Sequence, residues 1–164
     1  MPSALQTADL AVLRLLRTAG HAPATERWVR RGSALGEHAA CWLALGAAGA
    51  IVDRRRRDRW KRATTIVAGA YALNTAIKLA VRRRRPELPD LPPLIDTPTR
   101  LSFPSAHATT SFAAARAFRP LLPSKPLYAA ATALATSRVY LGVHYPSDVL
   151  GGAALGAAIG GLAR

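Results

Sequence analysis

Apolar residues come in blocks along this chain, and the blocks carry helical rather than strand spacing. Over 3–18, Leu5, Leu10, Val12, Leu13, Leu15 and Leu16 crowd one side of a helix, while Gln6, Asp9, Arg14 and Arg17 fall mostly elsewhere. That pattern predicts an amphipathic helix, too charged to span a bilayer and suited to lying in its interface. Packing on a soluble core is the other reading. Residues 20–23 end it. Five apolar segments follow, at 33–52, 63–81, 105–122, 126–143 and 147–162. Each approaches the roughly 20 residues that cross about 30 Å of hydrocarbon. None is clean: Glu37 and His38 interrupt the first, and Arg116 the third. Hydropathy alone also admits a soluble helical bundle. The predicted fold class is all-α in either case. The division is an N-terminal segment, 1–32, and a bundle domain, 33–164.

Composition sharpens this picture. The chain has 164 residues, half of them apolar, with few aromatics, so Ala and Gly supply much of the apolar character. Helices in lipid associate through small residues that let backbones approach. Gly152, Gly156 and Gly160 recur every fourth residue and line one face of the last segment, with Gly46 and Gly49 doing something similar earlier. The seam joins helices within one subunit or copies of a homo-oligomer.

The formal charge of +14 suits either nucleic acid or an anionic membrane surface. The arginines gather in runs, 54–57 and 82–85, between apolar stretches. A nucleic-acid module would spread them along a helical face with aromatics beside them. Loops flanking spans fit better, so no nucleic-acid partner is expected. Cys41 is the single cysteine, which rules out a disulfide within the chain. Arg14 and Arg17 interrupt the leading apolar run, so it does not read as a signal peptide.

Three short patches carry the candidate chemistry. Lys78 is followed six residues later by Arg85-Pro86; then comes Phe103-Pro104-Ser105-Ala106-His107; then Ser137-Arg138, five residues, His144, three residues and Asp148. Three cations, two histidines, a carboxylate and a hydroxyl suit a pocket that grips a phosphate and attacks it with an imidazole. The pattern K-x6-RP, P-S-x-H, S-R-x5-H-x3-D resembles the type 2 phosphatidic acid phosphatases, a family of membrane lipid phosphatases. One departure is Ala106, where the family usually has glycine; the backbone N–H is kept.

The resemblance implies a helical integral membrane bundle, here of about five spans, and a set of roles. His144 would attack phosphorus to form a phosphohistidine. Asp148 would hold its imidazole, and His107 would protonate the leaving alcohol. Lys78, Arg85 and Arg138 would bind phosphate oxygens, with the Ser105 hydroxyl and the Ala106 N–H as neutral donors. No metal or other cofactor is implied. The partners would be the bilayer and a membrane lipid phosphate. Similarity to actinobacterial members around 101–109 implies a polyprenyl-linked sugar phosphate from arabinan precursor synthesis, losing the 5-phosphate of its ribose. Polyprenyl pyrophosphate and phosphatidylglycerol phosphate remain alternatives. A non-catalytic membrane scaffold is the rival of another class, disfavoured by the complete residue set.

Alternating spans would bring all three patches to one membrane face. The basic loop around Arg54–Arg62 lies opposite, but Arg27, Arg30, Arg31 and Arg82–Arg84 on the site's own side leave only a weak charge bias. The family resemblance implies a site facing outward, on a multi-pass protein of the cell membrane. Glu37 and His38 fall near the site's face, either as head-group contacts or as helix packing and capping. The proline-rich link from 86 to 103 covers the site mouth or serves as a plain connector. Arg82–Arg84 read as interfacial cations rather than ligands.

Overall fold

The computed structural model describes residues 4–163, and these contain helices and no strand. The first helix, α1 (Ala4–Thr18), buries Asp9, Leu13 and Arg17 against the protein. Its leucine-rich side, with Leu5 and Leu15, stays exposed. The inward face is therefore mixed, with Leu13 and Leu10 in the core beside the buried Asp9 and Arg17.

Helix α2 (Pro23–Ala34) was not foreseen. Proline suits a first helical position, because its missing N–H would have had no partner there. It also runs through residue 32, and the backbone break comes later. The segment 33–52, expected as one span, divides at a 3-10 turn, Glu37–Ala39, before α3 (Ala40–Val52) begins. Two causes are visible. A Cβ on Gly36 would stand 2.6 Å from the His107 ring, so glycine lets the backbone pass. His38 and Ala39 then take left-handed φ values of 52° and 60°, which no α-helix continues. Glu37 and His38 thus lie on a turn, not inside a span.

The basic run, expected as a loop, mostly opens α4 (Arg57–Val81). Asp53 shapes this corner by accepting from the Arg56 N–H at 3.3 Å and from Trp60 Nε1 at 3.2 Å. Arg82, at φ 53°, ends α4 by donating its N–H to the Lys78 carbonyl.

Helix α5 (Ala106–Phe118) is the axis of the bundle, packed against α4, α6 (Ser124–Tyr140) and α7 (Pro146–Gly160). Alanine, serine and threonine cover most of it and are buried on every side, so its neighbours come close. The Gly152, Gly156 and Gly160 stripe is spent on this contact. It faces the backbone of Ser105, Thr109 and Ala113, and so is not left for a second copy. Phe118, Trp60 and Trp42 fill the far end, where Trp42 Nε1 donates to Ser111 Oγ at 2.9 Å.

Among the described residues one helical stretch, Arg54–Val81, is long and apolar enough to cross a bilayer alone. The pair Pro23–Ala34 and Glu37–Val52, bent by 50°, makes a second if taken as one broken span. The other segments give shorter helices than their apolar runs suggested, 13 residues in α5 and 15 in α7.

The close seam is open to test. Gly156→Ala sets a methyl group against the Thr109 backbone, whereas Gly69→Ala meets open space. The first should cost about 1–3 kcal/mol, read as a lower melting midpoint in detergent. The second should leave the midpoint unchanged or raise it, because alanine favours the helix.

Candidate active site

The three patches converge at one end of the bundle. Lys78, in the last turn of α4, donates to the carbonyls of Leu101 and Ser102, both at 3.2 Å. A short antiparallel bridge between Arg84 and Leu101 ties the link to itself and aims Arg85 inward. The Arg85 guanidinium donates to the Thr99 carbonyl at 2.9 Å and the Val143 carbonyl at 2.5 Å. Burial, with the nearby charge of Arg138, pushes Arg85 down to about 10. Cations crowded this way call for an anion.

His144 lies in the turn between α6 and α7, and its two ring nitrogens have different neighbours. Arg85 Nη1 is 3.1 Å from Nε2 and can only donate, so Nε2 presents a lone pair. Nδ1 carries the proton and faces Asp148 Oδ2 at 3.5 Å. Burial pushes the imidazole down to about 3, against the pull of Asp148, so it is neutral at any ordinary pH. Asp148 is fully buried and well supplied with donors. Ser102 Oγ and the Tyr145 N–H donate to Oδ2, the latter at 2.9 Å, and Arg83 donates to Oδ1 at 2.8 Å.

Across the pocket, His107 Nε2 is 2.9 Å from the Ser33 carbonyl, which only accepts, so that nitrogen carries a proton. Arg138 Nη1 donates to Ser33 Oγ at 2.7 Å. Glu37 reaches both, 3.5 Å from Arg138 Nη1 and 3.9 Å from His107 Nε2. His38 turns away, 2.7 Å from the Tyr71 hydroxyl. Ser105 opens α5, where the first N–H groups, including that of Ala106, have no partner within the helix. Among the described residues, Ser105 Oγ and Arg138 Nε are buried without a hydrogen-bond partner. A tetrahedral anion between α5 and α6 would satisfy both.

All eight residues assigned to the catalytic and phosphate-binding set therefore meet in one region. Four that matter geometrically were missed or misread. Ser102 orients Asp148, yet a serine before Phe-Pro carries no periodic signal. Ser33 touches Arg138 and His107 from a helix not foreseen. Arg83 is no interfacial cation: besides Asp148 it binds Ser147 Oγ at 2.7 Å and Asp9 Oδ2 at 2.8 Å, and lies 4.1 Å over the Tyr145 ring. Asp9, in α1, also accepts from the Ser147 N–H at 2.9 Å and from its hydroxyl. Its lone acidic place in a leucine-rich helix was the available clue.

Beside the pocket, an apolar cleft of about 940 Å³ opens between α2, α3 and α6. Trp28, Leu35, Trp42 and Leu134 line it, and Ser33 and Ser137 form part of its wall.

Comparison with known proteins agrees with this geometry. Residues 59–164 match the PAP2 superfamily. The chain is 46% identical over 134 residues to the decaprenylphosphoryl-5-phosphoribose phosphatase of Mycobacterium tuberculosis, covering 79% of this chain and 73% of that one. The Mycolicibacterium smegmatis protein of that name is 46% identical over 125 residues, covering 73% and 67%. The crystal structure of a transmembrane PAP2-type phosphatidylglycerolphosphate phosphatase from Bacillus subtilis superposes with a TM-score of 0.82 at 26% identity, covering 99% and 85%. The chain belongs to the PAP2 superfamily and is a membrane phosphatase.

Two outcomes follow from the buried groups. Asp9→Asn weakens the grip of Arg83 on its carboxylate partners, so kcat should fall roughly 10-fold or more with KM little changed, while Asp9→Glu recovers part of the loss. A fall in kcat matched by an equal loss of folded protein would make Asp9 a folding residue only. For His144, the unfolded imidazole takes up a proton near pH 6.5, whereas the folded one does so near 3. Its contribution to stability is complete above about pH 6.5 and declines as pH falls toward 3. His144→Asn should soften the acid-side drop in melting midpoint.

Proposed function

We propose that this chain hydrolyses a phosphomonoester on a membrane lipid through a phosphohistidine. The reading rests on one arrangement: the His144 lone pair faces Arg85, and Lys78, Arg85, Arg138 and His107 converge there with the unpartnered Ser105 Oγ and Arg138 Nε. An arriving phosphate takes over the N–H groups of Arg85 and meets Lys78, Arg138, Ser105 and the Ala106 N–H. Nε2 of His144 then attacks phosphorus in line. The N–P bond forms as the bond to the lipid oxygen breaks, and His107 gives that oxygen its proton. Asp148 stabilises the positive imidazole, as a carboxylate does for the histidine of a serine protease. Water attacks the phosphohistidine, yields its proton to His107, and inorganic phosphate departs.

Fixed cations stabilise charge on the transferring group, a task metal ions perform in other phosphoryl transferases. We read the reaction as metal-independent.

The membrane arrangement we favour has about five spans, from the α2–α3 bend through α7, with α1 resting in the interface on its exposed leucines. We place the site end outward from the cell membrane, as the family resemblance implies, with the basic run Arg54–Arg62 at the other end adding a weak charge bias. The substrate we favour is decaprenylphosphoryl-5-phosphoribose, the lipid named for the mycobacterial relatives. The apolar cleft beside Ser33 would receive its polyprenyl chain. Phosphatidylglycerol phosphate is the second reading, from the name of the Bacillus subtilis protein.

Detergent-purified protein should release phosphate from the phosphoribose lipid faster than from phosphatidylglycerol phosphate, with EDTA present, and His144→Ala should lose nearly all release. Abolition by EDTA alone would overturn the metal-free route. The rate should follow a bell-shaped pH curve, because one histidine must be neutral and the other protonated. Its acid limb, from protonation of the neutral histidine His144, should lie far below neutrality, near 3.

A further inference from the structure

A carboxylate beside a phosphate pocket calls for a reason, since it repels the substrate's charge. We propose that Glu37 is a specificity residue: it favours a hydroxyl-bearing alcohol behind the scissile bond and disfavours a second phosphate there. The inference rests on the phosphatase reading above and names what that site selects.

The position follows from the reaction axis. Attack starts at His144 Nε2, and the leaving oxygen must take the place of the Ser33 carbonyl beside the proton on His107 Nε2. Glu37 Oε1 is 3.9 Å from that nitrogen and 3.5 Å from Arg138 Nη1, so it stands at the leaving-group side of the pocket. The transferring phosphoryl group meets Lys78, Arg85 and the far edge of Arg138. The atoms immediately beyond the leaving oxygen meet Glu37.

The turn carrying Glu37 is fixed in place. Gly36 packs on the His107 ring, leaving no room for a side chain, and the Ala39 N–H donates to the Gly36 carbonyl at 3.2 Å. His38 and Ala39 hold the left-handed backbone that separates α2 from α3. The Glu37 side chain remains about two-fifths exposed, at 38%, so it can meet a bound group without being unpacked.

The chemistry then separates two substrate classes. In a sugar phosphate the leaving oxygen is bonded to carbon, and neighbouring hydroxyls can donate to Glu37, which as an ionised carboxylate only accepts. In a diphosphate the leaving oxygen is bonded to a second phosphorus bearing further negative charge. That charge would sit directly against the Glu37 carboxylate and be repelled by it. Selection would come from a repulsive element as well as an attractive one.

The test compares kcat/KM on a polyprenyl phosphoribose 5-phosphate and on the polyprenyl diphosphate of equal tail length, for wild type, Glu37→Gln and Glu37→Asp. Wild type should prefer the sugar phosphate. Glu37→Gln should shrink that preference at least 10-fold, losing rate on the sugar phosphate and gaining it on the diphosphate. Glu37→Asp, which keeps the charge, should retain the preference. Inhibition by inorganic pyrophosphate should strengthen in Glu37→Gln more than inhibition by inorganic phosphate. Equal factors on both lipids, or unchanged pyrophosphate inhibition, would overturn the assignment and leave Glu37 a packing residue. A wild type that cleaves neither lipid in a His144-dependent way would instead overturn the phosphatase reading itself.

Discussion

Three cations brought out of water beside one another repel, and the rest of this structure answers that problem. Lys78, Arg85 and Arg138 belong to different segments, so only the fold can hold them together. It does so with carbonyl oxygens, from Thr99, Leu101, Ser102 and Val143, and with the Ser33 hydroxyl. Each acceptor recovers part of what burial takes from a charge. The link after α4 therefore folds back as a bridge rather than running free. Its two ends supply Arg85 and Ser102.

The same constraint explains why α5 is built from small residues. His107 and Ser105 must reach the cations from the helix start, with α4, α6 and α7 close around it. Alanine, serine and threonine on α5, facing glycine on α7, allow that approach. Larger side chains would push the walls apart and dilute the field on the phosphate. Close packing here serves electrostatics as much as stability.

The sequence made the chemistry more legible than the path of the chain. Lys78, Arg85, His107, Arg138, His144 and Asp148 stand at fixed spacings with residue types that few other jobs require. The Ala/Gly-rich blocks likewise told of close helices. What stayed hidden depended on contacts over long separations. Nothing local to Ser33 says that Arg138 will find its hydroxyl, and nothing local to Arg83 distinguishes it from Arg82 or Arg84. The break after α2 was hidden partly for a different reason. Alanine has no intrinsic taste for a left-handed backbone and histidine only a modest one, while the close approach of Gly36 to the His107 ring is a contact over a long separation. The segment 1–32 also read as an appendage to the phosphatase, although its Asp9 reaches the N-terminus of α7.

That last contact joins residues 138 positions apart, Asp9 and Ser147. A chain emerging from the ribosome makes α1 well before α7. Through most of synthesis α1 has no α7 to cap, and Arg83 has neither Ser147 nor Asp148 to hold. His144 and Asp148 also arrive late, after most of the pocket that receives them. Competence would thus wait until α7 is made and α1 meets it. A half-made bundle resting among its own lipid substrates would be inert by construction.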